Sequence, residues 1–136
     1  MKVAIICLNI LILLPVSLTW ITAYFRKSEL GKIDNNNPRA QYAQLQGVGG
    51  RLVAAQANTW EAIIFFMASI LAVYLAGVDP KYIVIPCITF VICRVLFIIA
   101  YVANQGVLRS LIFIVGVICC FYMFYIAYNP EYYLKL

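Results

Sequence analysis

Four runs of apolar residues, approximately 3–25, 52–76, 82–103 and 107–128, take up most of this 136-residue chain. Each approaches or exceeds the roughly 20 residues that a helix, rising about 1.5 Å per residue, needs to cross about 30 Å of hydrocarbon. With 65% hydrophobic residues, 11% charged residues and a mean hydropathy of +0.95, the chain is far too apolar for a soluble domain of its size. The pattern predicts an all-α integral membrane protein: a four-helix bundle forming a single transmembrane domain over residues 1–136. The first run follows Met1-Lys2 as a secretory leader would, but it outruns the roughly 7 to 15 apolar residues of a leader. Ser17-Leu18-Thr19 also leads into bulky Trp20 instead of a small-residue cleavage site, so a retained first helix is expected.

Charge sets the expected orientation. Between the first two runs Arg26, Lys27, Lys32, Arg39 and Arg51 face Glu29 and Asp34, a net +3, and Arg109 falls on the same side. The other side carries Lys2, Lys81 and Lys135 against Asp79 and Glu131, a net +1. By the positive-inside rule the first and third loops are cytoplasmic and both termini lie outside. The basic loop is thereby accounted for by topology, and no nucleic-acid partner is expected.

Two full charges, Glu61 and Arg94, interrupt the second and third runs. A lone charge near the bilayer centre costs about 2.5–3.5 kcal/mol or more, so such residues face one another or a polar cavity. Glu61 is ten residues beyond Arg51, and Arg94 is ten residues before Asn104, which puts both about 15 Å deep. On adjacent antiparallel helices an ion pair between them is expected. Arg51, Asn58 and Glu61 share one helical face with Phe65, whereas Gln56 points away toward a different neighbour. Arg94 and Tyr101, seven apart, share a face of the third helix, and Arg109-Ser110 opens the fourth. These groups outline a polar wedge that opens to the cytoplasm and suits a small, multiply charged, zwitterionic ligand. A buried pair that only fixes helix register is the competing reading.

The remaining signals are structural. Pro15 and Pro86 fall inside runs, and Ala68, Ala72 and Ala76 form a small-residue stripe suited to close helix approach. Asp79-Pro80 reads as a tight turn with a cap and a helix start. The long connection, 26–50, contains Asp34-Asn35-Asn36-Asn37-Pro38-Arg39 and Gly47-Val48-Gly49-Gly50, the latter expected to allow chain reversal at the membrane surface. The five cysteines, at 7, 87, 93, 119 and 120, lie within runs without metal-ligand spacing, and the chain has no histidine. A metal site is not expected, and a histidine-based triad is excluded.

The run RLVAAQANTWE from Arg51 to Glu61, with Asn58 and Glu61 three apart, resembles the second-helix signature of the MAPEG family, the membrane-associated proteins of eicosanoid and glutathione metabolism. The Asp34 to Arg39 segment is similar to that of bacterial members, and Arg94 with Tyr101 and Arg109-Ser110 keep the family's order and spacing. The resemblance implies a homotrimer of left-handed four-helix bundles that binds glutathione between subunits near the cytoplasmic face, in a bacterial inner membrane. It further implies glutathione contacts from Arg51, Asn58, Glu61, Arg94, Tyr101 and Arg109, with Arg26 added from the first helix, and catalysis by Arg109 and Ser110 beside the sulfur. Gln56 and Ala57 stand where prostaglandin E synthase members carry histidine and arginine. Phe97 replaces a further histidine and Phe113 a tyrosine, so prostaglandin synthesis is not implied.

The expected activity is a glutathione-dependent transferase or peroxidase, with glutathione as co-substrate, no metal, and a lipophilic electrophile or hydroperoxide arriving from the bilayer. The alternative is a non-catalytic membrane scaffold or binding protein held by a Glu61–Arg94 pair. A transporter is a weaker reading, since one ion pair without repeated broken helices gives little basis for alternating access.

Overall fold

The computed structural model describes residues 1–134, so Lys135, counted above with the outer side, lies outside the described residues. Five α-helices follow in order: α1 (Lys2–Leu30), α2 (Pro38–Tyr42), α3 (Gly47–Leu75), α4 (Val84–Val102) and α5 (Gly106–Tyr128). All but the short α2 belong to segments long and apolar enough to span a membrane. The chain is an integral, multi-pass membrane protein.

The bundle is apolar outside as well as inside. Trp20, Ile64, Phe65, Leu75, Ile85 and Val107 are exposed, the pattern of helices solvated by lipid or by other helices. Inside, small residues let the helices close up. Ala4, Cys7, Cys87, Cys119 and Cys120 pack with Leu11, Phe66, Met123 and Ile126, and Phe66 stacks on Phe90 at 4.7 Å. All five cysteines are free and buried. Buried hydroxyls bond within their own helices: Thr22 donates to the Thr19 carbonyl at 2.9 Å, Thr59 to Ala55 at 2.7 Å and Ser69 to Phe66 at 2.9 Å. No polar hydrogen of these groups is left to hydrocarbon.

The basic loop is more ordered than a connector. α1 runs past its apolar stretch to Leu30, where Gly31 at φ 76 closes it in the left-handed region with its N–H on the Lys27 carbonyl. Glu29 then reaches across to α3, accepting the Gln46 N–H at 3.2 Å, so a carboxylate sits at the positive end of that helix. Gly47 to Gly50, expected to turn the chain, instead begin α3. The glycine at 49 serves packing: a Cβ there would lie 2.9 Å from Glu29 Oε1 and 3.2 Å from Phe25 Cβ.

At the opposite end Asp79 caps a 3₁₀ turn, Pro80–Ile83, by accepting the Lys81 N–H at 2.9 Å, and α4 follows directly. The C-terminal segment folds back on this turn, with the Asp79 N–H donating to the Tyr133 carbonyl at 2.8 Å.

Candidate functional site

At the basic-loop end, α3, α4 and α5 enclose a groove of about 390 Å³ lined by Asn58, Phe97, Tyr101, Arg109, Ser110, Phe113 and Ile114. Each helix contributes a distinct group. α3 supplies an amide, α4 a phenol, and the first turn of α5 a guanidinium and a hydroxyl. Arg109 lies over the Tyr101 ring with its Cζ 4.3 Å from the centroid, an arrangement that holds the guanidinium in the lining of the groove. The Ser110 hydroxyl donates to the Gly106 carbonyl at 3.1 Å, a bond worth about 0.5–1.5 kcal/mol that an incoming acceptor must replace. The N-terminus of α5 adds its own positive potential. Together these groups favour an anion against a wall of Phe97 and Phe113.

The groove gathers Asn58, Tyr101, Arg109 and Ser110, and sets the other candidates apart. Arg51 closes the C-terminus of α4, its Nε donating to the Val102 carbonyl at 3.1 Å. Arg26 is buried in the basic loop, with Nε on Gln41 Oε1 at 2.7 Å and Nη2 on the Asp34 carbonyl at 2.6 Å. Gln41 completes that knot, donating to the Lys32 carbonyl at 2.9 Å and accepting the Asp34 N–H at 2.8 Å. The Asp34 carboxylate accepts from the Asn37 side chain and the Asn36 and Asn37 N–H groups, and these bonds hold its pKa below the usual aspartate value, the Asn37 amide foremost. Gln56 does turn away from the wedge, donating to the Pro15 carbonyl at 3.0 Å and to Thr19 Oγ1 at 2.6 Å.

The expected Glu61–Arg94 ion pair does not form. Arg94 Nη1 donates instead to Asn58 Oδ1 at 3.1 Å, and among the described residues the ion pair found is Lys81 with Asp79 at 3.2 Å. The reason is rotational. Three residues along a helix fall about 60° short of a full turn, so with Asn58 directed at α4, Glu61 stands exposed on the outer face of α3. A scaffold held by that pair within one chain loses its basis.

Sequence reasoning also missed the surroundings of Arg94. Its guanidinium lies 4.4 Å from the Phe97 centroid, 5.5 Å from Phe113 and 5.7 Å from Phe90. The spacing of Phe90, Arg94 and Phe97, four and three apart, was the available signal. The family model for the MAPEG family matches residues 4–129. No curated protein and no solved structure matches.

Proposed function

The chain belongs to the MAPEG family, and on that footing we propose that it is a membrane-bound, glutathione-dependent transferase or peroxidase acting on lipophilic electrophiles or hydroperoxides. The observation that carries this reading is the groove itself, where Arg109, Ser110, Tyr101 and Asn58 meet beside apolar walls. Its volume of about 390 Å³ lies within the range of small-molecule sites, roughly 300–1,000 Å³, and its donors match the carboxylates and amides of a tripeptide.

In this mechanism Arg109, Tyr101 and Asn58 hold glutathione in the groove, and Glu61, on the outer face of α3, is available to the ammonium of a glutathione held by a neighbouring subunit. Arg109 and the N-terminus of α5 stabilise negative charge on sulfur, and Ser110 turns its hydroxyl from Gly106 to donate to it. Lowering a thiol pKa from about 8.5 in this way yields a nucleophile without histidine. In transfer, sulfur bonds to the electrophilic carbon and the leaving group departs with its electron pair. In peroxide reduction, sulfur takes the distal oxygen, the alcohol leaves, and a second glutathione completes the disulfide with loss of water. Phe97 and Phe113 keep the reacting atoms out of water while admitting a substrate from the bilayer.

The same reading makes the protein a homotrimer in a bacterial inner membrane, with the first and third loops cytoplasmic. What supports this is the positive-inside bias and the exposed Glu61, whose carboxylate at membrane depth calls for cover by a neighbouring subunit. Arg109→Ala tests the mechanism. Conjugation of glutathione to an aryl halide by the purified protein is expected to fall at least about 100-fold, the scale of losing one charge-stabilising donor. Unaltered turnover would remove the mechanism.

A further inference from the structure

We propose that Arg51 is a positioning residue of the groove: from α3 it fixes the last turn of α4, and through that turn it sets Tyr101 and Arg109. The inference rests on the glutathione reading. Arg51 stands outside the lining of the groove, and its Nε donates to the Val102 carbonyl at 3.1 Å. That bond completes the end of α4. A helix leaves its last four carbonyls without a helical N–H to accept from, and here three of them are met by the turn that follows. Ile99 accepts from the Ala103 N–H at 2.9 Å, Ala100 from Gln105 at 2.9 Å and Tyr101 from Asn104 at 3.1 Å. The fourth, Val102, takes its donor from another helix.

The same turn carries the groups that meet the ligand. Tyr101 directly precedes Val102, and its ring lies 4.3 Å from the Arg109 guanidinium. Asn104 holds φ 58, a left-handed conformation that a residue other than glycine keeps where its surroundings hold it. The Arg109 N–H then returns to the Gln105 carbonyl at 2.9 Å. Backbone bonds thus run from the end of α4 into the start of α5, and Arg51 ties them to α3. The base from which Arg51 reaches is fixed as well. Glu29 accepts the Gln46 N–H at 3.2 Å, and a Cβ at Gly49 would lie 3.2 Å from Phe25 Cβ. Two turns further along α3, Asn58 accepts from Arg94, so Tyr101 falls in sequence between two rungs that join α3 to α4. A displacement of about 1 Å in a catalytic group can cost about 100-fold in rate. A bond that touches neither sulfur nor glutathione therefore governs how well Arg109 stabilises the thiolate.

Two variants separate position from charge. A glutamine Nε2 stands as many bonds from Cα as the arginine Nε, so Arg51→Gln keeps a donor for Val102 and removes the charge, whereas Arg51→Met removes both. Amide exchange of the ligand-free protein is read first. Arg51→Met is expected to speed exchange over residues 103–109 at least about fivefold, and Arg51→Gln to restore the protection. With glutathione and an aryl halide, Arg51→Met is expected to lower kcat at least about tenfold. It should also move the acid limb of the kcat profile to higher pH, because a displaced Arg109 favours the thiolate less. Arg51→Gln is expected to restore both. Equal losses in the two variants overturn the proposal, because the charge would then act on glutathione directly. So does unchanged exchange in Arg51→Met, or a rate loss that leaves the pH profile in place. Where Arg51→Met does not fold, a loss of about tenfold or more in kcat/KM in Arg51→Gln overturns it. A wild type that turns over no glutathione defeats the glutathione reading instead, while the exchange data still test the tie between Arg51 and the turn.

Discussion

Two arginines are buried in this bundle, and they are buried differently. Arg26, 4% exposed, lies where the first helix leaves the membrane, and it donates to a side-chain amide and a backbone carbonyl while Tyr42 covers it at 5.3 Å. Arg94, 1% exposed, lies amid the bundle with one amide, three aromatic rings and an orphaned Nε. The first is the keystone of a loop, its acceptors supplied by the loop's own Gln41 side chain and Asp34 carbonyl. The second has been placed where the fold supplies too few acceptors. A buried cation with its hydrogen bonds made is a structural part, whereas one with a donor left over is held by its rings and by Asn58 alone.

The largest effect expected from this contrast is on stability. Arg26→Met removes the donors that hold Gln41 and the Asp34 carbonyl, and with charged hydrogen bonds worth about 1.5–3 kcal/mol each, a loss of about 3 kcal/mol is expected. Thermal unfolding in detergent should show a lower Tm and faster proteolysis of the 31–46 segment. Arg94→Met sharpens the comparison from the other side. It deletes a buried charge that nothing in the described chain neutralises, whose burial is costly, at the loss of one bond to Asn58, so the Tm is expected to fall less than in Arg26→Met. A fall as large as that of Arg26→Met would break the distinction.

The smallest effect concerns the loop's own titration. The carboxyl of Asp34 is held below its usual range when folded, so its contribution is fully present above the unfolded value of about 3.9 and is lost as pH falls through the folded value. Protection of the loop from an acid-active protease should therefore decline through that range in the wild type. In Asp34→Asn it should change little with pH.

Much of the fold is legible in the chain. Length and hydropathy mark the spanning helices, and Asp79-Pro80 marks the start of the 3₁₀ turn that leads into α4. Helical spacing correctly turns Gln56 away from Asn58. What spacing cannot supply is which of two polar groups one turn apart on one face is rotated toward the neighbouring helix. Depth counting put Glu61 opposite Arg94, but Asn58, one turn nearer the basic loop, takes the bond. The role of Arg26 was equally hidden, because one of its acceptors is a main-chain carbonyl, which carries no side-chain signature. Gly47 to Gly50 read as a turn by composition, yet they serve a helix whose start Glu29 approaches too closely for a Cβ at position 49.

The most direct test of the difference between the two cations is nitrogen NMR of protein labelled at arginine Nε, assigned with Arg26→Met and Arg94→Met. Adding glutathione should move the Arg94 Nε resonance, because its partner Asn58 lines the groove, and leave Arg26 in place. An Arg94 resonance indifferent to glutathione, or an Arg26 resonance that moves with it, would contradict the view that the groove bordered by Asn58 is the ligand site and the basic-loop arginine a structural part.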